Sequence, residues 1–211
     1  MTVVHDEREV RRLLAATSAL LCYPEQATVD RLPLVEQSLP TLPAESRDPL
    51  ARFAGWLSST DLLDAQAHYV EIFDRRRKAC LYLTYFLNGD TRRRGMALVE
   101  LKEAYQAAGF DVPPTELPDF LPVALEFGSV GDLAVALELL ARHRAGLELL
   151  EKALRQFGSP YADVVTALLP VVPPAPAGPT AEELAFTGPP AEQVGLAPFV
   201  PLESVKVGAR A

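Results

Sequence analysis

"ACLYLTYFLNGDTRRRG", residues 79–95, sets nine almost uniformly apolar residues against a tight polar turn and three consecutive arginines. Immediately upstream lies a second basic run, Arg75-Arg76-Arg77-Lys78. Read as a helix, residues 79–87 are apolar on every side, with Tyr82, Tyr85 and Phe86 supplying large aromatic area. Such a helix is buried all round or keeps one face for a partner. The expectation is a central core helix, with the tyrosines able to show an apolar body and a polar tip at one exposed edge.

The neighbouring sequence is also helical in period. Upstream, Asp6 and Glu9 form a D-x-x-E start, a near relative of the capping box. Val10, Leu13, Leu14, Thr17, Leu20 and Leu21 then line one face until Pro24 stops the helix. Residues 25–47 read as a short helix or two. Asp48-Pro49 is expected to open the next helix as cap and first residue, burying Leu50, Phe53 and Leu57. Asp61 starts another, with Leu62, Ala65, Tyr69, Ile72 and Phe73 inward.

Downstream, a helix is expected from Thr91 to about Ala108, striped by Leu98, Leu101 and Tyr105, with Gly109-Phe110 as its end. "DVPPTELPDFLPVALEFG" reads as a Pro-rich loop leading into a short helix. Asp132 begins a pair of helical segments carrying Leu133, Leu137 and Leu140, then Leu147, Leu150, Leu154 and Phe157. Ser159-Pro160 starts a last one, with Tyr161, Val164, Val165 and Leu168 inward. No segment alternates like a strand with hairpin turns. The fold class is therefore all-α, a single multi-helix bundle over residues 1–169. Residues 170–211 hold nine of the 19 prolines and are expected to be a mostly extended or disordered tail. Within it, "ELAF" and "LAPFVPL" are candidate docking segments.

Charge and cysteine content narrow the function. The formal net charge is −8, which argues against nucleic acid as a partner of the whole chain. Residues 74–102 nevertheless carry eight Lys/Arg against Asp74, Asp90 and Glu100, so two faces of opposite potential are expected. Cys22 and Cys80 are far apart and read as reduced thiols inside apolar patterns, which fits a cytoplasmic location. No apolar signal region opens "MTVVHDEREVRR", and no ~20-residue apolar stretch suits a membrane span.

Catalytic chemistry finds little support. His5, His68 and His143 share no metal spacing with Cys or carboxylates. Asp64 and His68 lie one turn apart, as an acid–base pair or an ordinary i, i+4 surface contact would. No phosphate-loop, dinucleotide or nucleophile-elbow motif occurs. The expectation is a binding protein, neither an enzyme nor a metalloprotein.

The arginines sharpen that expectation. Arg92, Arg93 and Arg94 fall in the first turn of a helix, where the dipole makes each cation unfavourable by roughly 0.3–1 kcal/mol. Pairing to Asp74, Glu71, Glu100 or a partner would supply the missing reason. Arg75 to Lys78 follow a helix end, where cations are favoured.

"HYVEIFDRRRKACLYLTYFLNGDTRRRGMALVELKEAYQAAGF" with "ELPDFLPVALEFG" resembles the NarJ family, the delta subunits of respiratory nitrate reductase. The resemblance covers residues 68–128, with "ALLCYPE" at 19–25 similar to the family's first helix and its stop. Its motifs are [YV]-x-x-FD, GD-x-R-x-RG and ELPD-x-LP, in order. The wider group is the TorD/DmsD-like chaperones of molybdenum enzymes, which are all-helical. The resemblance implies a cytoplasmic chaperone that binds the N-terminal segment of the apo catalytic subunit of nitrate reductase. Molybdenum cofactor would then be inserted into that client before it docks at the membrane.

No cofactor is expected to be bound stably by the chaperone itself. Cofactor-delivery proteins are further candidate partners, and membrane insertion is not expected. The group's acidic motif corresponds to Glu116-Leu117-Pro118-Asp119. A His commonly follows that Asp in TorD-like members; here Phe120 stands in its place, so nucleotide-related roles of that His do not carry over.

Together these readings give a candidate peptide site. Tyr82, Tyr85, Phe86 and Phe120 would supply apolar contact, with Glu116 and Asp119 as a negative rim. Asp74 and Arg92, Arg93 and Arg94 form a candidate electrostatic cluster, either an internal clamp on the acidic loop or a second contact with the client or its anionic cofactor. Alternatives are a chaperone for another molybdenum or tungsten oxidoreductase, a nucleic-acid binder using residues 74–102, and, least supported, a nucleotide hydrolase.

Overall fold

A computed structural model describes residues 6–175 and 178–190. Helix α1 spans Glu7–Leu21, and all six residues of its expected stripe are buried. The Asp6 carboxylate caps it by accepting from the Arg8 N–H at 3.2 Å. Helix α2 (Gln26–Ser38) packs on α3 (Ala44–Ser59). Here the Asp48-Pro49 start is corrected: α3 begins one turn earlier, after Pro43, and Pro49 is buried inside it. Pro49 is the sixth residue of α3, past the first turn, so the helix forgoes there the N–H bond to the Glu45 carbonyl. Asp48 instead pairs with Arg47 at 2.9 Å.

Helix α4 (Leu62–Tyr69) is capped by Asp61, which accepts from the Leu63 N–H at 2.9 Å, and widens into a single π-turn over Val70–Asp74. The quoted stretch then departs from expectation. Residues 79–87 are not a helix: Cys80 to Tyr82 run extended, Leu83 and Thr84 turn, and only Tyr85–Asn88 coil into the short α5. The Leu83 N–H donates to the Asp119 carbonyl and the Leu121 N–H to the Leu81 carbonyl, each at 2.8 Å, bracketing an antiparallel bridge between Tyr82 and Phe120. A short apolar run does not distinguish a helix from a strand buried on both faces. The period of two is visible in the burial: Leu81 and Leu83 enter the core, while Cys80 and Tyr82 face the other way.

The central apolar helix is α7 (Leu121–Val130), buried at all of Leu121 to Leu125, Phe127 and Gly128, with Glu126 on its exposed side. α1 lies directly against it. A Cβ at Gly128 would come within 2.6 Å of Leu14 Cδ1 and 2.9 Å of the Ala136 Cβ, so only glycine permits this approach. The Arg11 guanidinium crosses the end of α7, donating to the carbonyls of Gly128, Ser129 and Gly131 at 3.0–3.3 Å. A cation there also complements the helix dipole.

The remaining elements are α6 (Arg92–Ala107), α8 (Leu133–Arg142), α9 (Arg144–Gln156), α10 (Tyr161–Leu168) and α11 (Ala181–Thr187). α10 packs on α1, α3 and α9, and its Tyr161 ring meets Phe53, Trp56, Tyr69 and Phe73. His68 joins this cluster through Ser159 Oγ at 2.9 Å and does not form the acid–base pair with Asp64. The expected extended tail is corrected at 181–187, where "ELAF" lies in α11 and Leu184 is buried. "LAPFVPL" falls outside the described residues.

Candidate functional site

The π-turn, the extended segment 80–82, the α5–α6 turn and the start of α7 enclose an open cavity of about 340 Å³. Its apolar lining is Tyr69, Phe73, Tyr82, Tyr85 and Phe120, and its charged lining is Asp74, Arg76, Arg77, Asp90 and Arg94. Each side chain arrives for a local reason. The π-turn rotates Phe73 and Asp74 toward the cavity, a distortion often found at functional sites. Strand alternation sends Tyr82 to it, and the bridge sets Phe120 beside Tyr82, ring centroids 5.5 Å apart.

Arg94 ties the walls together. Its guanidinium lies 5.3 Å from the Tyr82 ring centroid and donates to Asp90 at 3.2 Å, Thr84 Oγ1 at 3.3 Å and Asp119 Oδ2 at 3.4 Å. This answers the question posed by three cations at a helix start, for one of them: Arg94 serves a buried carboxylate. Asp90 also faces Arg77 at 3.7 Å, so the rim interleaves both signs.

Asp119 is completely buried. The Thr84 hydroxyl donates a short hydrogen bond to its Oδ2, while its Oδ1 has no partner among the described residues. The rim placement of Asp119 is thereby corrected, because a carboxylate without solvent exposure cannot meet a charge on an incoming peptide. It holds the cavity wall from behind.

The other expected residues divide similarly. Tyr82, Tyr85, Phe120, Asp74 and Arg94 come together in the cavity. Phe86 does not: it points to the opposite side, against Gly146 of α9. Glu116 is exposed on the loop before α7 and lies outside the lining. It is near enough to raise the Tyr82 phenol, after burial itself, which is the larger cause. Arg92 and Arg93 are exposed on α6 and do not line the cavity.

Sequence reasoning missed Asp90 and Arg77 as rim charges, and Thr84 as a partner of Asp119. Asp90 was legible only as one of the few acidic residues among the cations of 74–102. Its i, i+4 spacing to Arg94 was the available signal. Burial pushes the Cys80 thiol at the cavity up to about 11, and Cys22 equally. Among the described residues no group of three or more His, Cys, Asp or Glu is arranged to hold a metal ion. No helix of the described residues is long and apolar enough to cross a membrane.

The profile described as "Nitrate reductase delta subunit" matches residues 39–167, which include every residue of this cavity. The chain belongs to the nitrate reductase delta subunit family. The nitrate reductase molybdenum cofactor assembly chaperone NarJ of Escherichia coli strain K12 is 36% identical, over 74% of this chain and 67% of its own length. The probable chaperone of the same name from Bacillus subtilis is 31% identical, over 74% and 85%. The nitrate reductase-like protein NarX of Mycobacterium tuberculosis is 37% identical over 72% of this chain, but that stretch is 23% of the relative's length.

The delta subunit fold also has a solved counterpart, described as a redox enzyme maturation protein from Archaeoglobus fulgidus. It superposes with a TM-score of 0.57 over 75% of this chain and 91% of its own, at 24% identity, a likeness of fold alone.

Proposed function

We propose that this protein is an assembly chaperone that binds the N-terminal segment of the apo catalytic subunit of a respiratory nitrate reductase. In the cytoplasm it holds that subunit while molybdenum cofactor is inserted and so delays membrane docking. The cofactor is handled through the client, with cofactor-delivery proteins as further partners.

The observation that carries this reading is the cavity itself, where family motifs converge: FD of the π-turn, Asp90 and Arg94 of GD-x-R-x-RG, and the Phe120 of ELPD-x-LP. An aromatic floor of Tyr82, Tyr85 and Phe120 suits the apolar face of an amphipathic helix. Asp74 and Asp90 suit its cations. At about 340 Å³ the cavity takes anchoring side chains and leaves the rest of the helix on the surface. The relatives' names as nitrate reductase cofactor assembly chaperones support the same client.

The test is a calorimetric titration with a peptide from the N-terminus of the nitrate reductase catalytic subunit. Wild type should bind saturably. Tyr85→Ala should weaken binding about 5- to 30-fold, the ~1–2 kcal/mol of a contributing interface residue short of a full hot spot. No binding by wild type across several pH and salt conditions would end this reading.

A further inference from the structure

α11 is closed by a reciprocal capping box: the Thr180 N–H donates to Glu183 Oε2 at 2.8 Å, and the Glu183 N–H donates to Thr180 Oγ1 at 3.2 Å. Seven residues are too few for a helix to persist alone in water. Its existence therefore depends on what it touches. α11 lies on α9, and the two leave between them a largely apolar pocket of about 230 Å³, lined by Phe86, Leu149 and Lys152 on one side and by Leu184, Ala185 and Pro189 on the other. Leu184 is buried here, whereas Phe186, two residues on, is 93% exposed.

Beyond α11 the chain turns at Gly188 and reaches the α5–α6 turn. There the Pro190 carbonyl oxygen lies 1.7 Å from where a Cβ on Gly89 would stand, so that space belongs to the tail. Residues 86–89 are thus backed at both ends, at Phe86 by α9 and the pocket that α11 closes, and at Gly89 by Pro190. Their immediate neighbours Tyr85 and Asp90 line the aromatic cavity.

We propose that α11, seated on α9 through Leu184, acts with the Pro190 segment as a buttress that positions Tyr85 and Asp90 in the cavity wall. α11 opens on Glu182 and Glu183, opposite in sign to the Lys78 and Lys152 that line the pocket. The covalent tether to α10 makes the encounter intramolecular, so one buried leucine is a sufficient anchor. Holding the wall in advance lowers the ordering cost that a bound peptide would otherwise meet. This last consequence rests on the client-binding reading; the docking itself does not.

The experiment uses the full chain as wild type, Leu184→Glu, the milder pocket-edge variant Lys152→Glu, and Phe186→Ala as an outward-facing control. Amide hydrogen exchange over residues 85–90 should accelerate at least tenfold in Leu184→Glu, less in Lys152→Glu, and not in Phe186→Ala. Unchanged protection in both pocket variants, or equal acceleration in Phe186→Ala, would overturn the docking. In the client-peptide titration, Leu184→Glu should raise Kd about 3- to 10-fold. Binding unchanged or tightened, with wild type still binding, would overturn the positioning role while leaving the chaperone reading intact. Absence of wild-type binding would end the chaperone reading and leave the exchange result to decide the docking alone.

Discussion

Replacing Arg94 by methionine keeps an unbranched stem against Tyr82 and removes the charge. Three polar partners are lost, and their environments decide the cost. The Asp90 carboxylate is 63% exposed, so its share is at most about 1 kcal/mol. Asp119 is fully buried, and without Arg94 its charge retains only the Thr84 hydroxyl. Removing one partner of a buried pair costs about 3–5 kcal/mol because the other charge stays desolvated. For a chain of this size that is a fall in Tm of roughly 10 °C.

The assay is urea unfolding of wild type, Arg94→Met, Asp119→Asn and the double variant. The double variant should be less destabilised than the two singles added together, since neutralising Asp119 removes the orphaned charge. A loss below about 1 kcal/mol in Arg94→Met, or strict additivity, would refute the claim that Arg94 is there for Asp119.

Two further outcomes follow from the core. Gly128→Val should destabilise by about 1–3 kcal/mol through overpacking against Leu14 and Ala136, read as a lower urea midpoint at constant m. His143, buried beside Arg142, has its pKa lowered to about 4, burial being the larger cause. The unfolded chain takes up that proton first, so the associated stability is complete above about pH 6.5 and is lost as pH falls toward 4. The loss is at most about 3 kcal/mol. His143→Leu should flatten that part of the stability–pH curve, and an unchanged slope would contradict it.

Where local periodicity decided structure, the sequence was legible: every expected inward residue of α1 is buried, and Asp61 and Asp132 cap the helices assigned to them. It failed where a long-range partner decided. Residues 79–87 became partly extended because the 119–121 backbone bonds residues 81 and 83, a pairing no local window contains. The same pairing buries Asp119, which reads in sequence as a polar residue in a proline-rich loop. Composition obscured α11 among prolines, although Thr180 and Glu183 spelled its capping box. The aromatic half of the site, Tyr82, Tyr85 and Phe120, was legible by residue type and family motif. The rim pair of Arg77 and Asp90 was not, because it is made by two turns that only the fold brings together.

The central claim is that the aromatic cavity receives the client's N-terminal segment, and site-specific photocrosslinking tests it most directly. A photoreactive phenylalanine analogue is placed at Tyr85 in one variant and at Leu34, exposed on α2 outside the cavity, in another. Each is illuminated with the catalytic-subunit peptide. The account predicts a crosslink to the peptide from position 85, competed by unlabelled peptide, and none from position 34. Capture from position 34 alone, or equal capture from both, would contradict it.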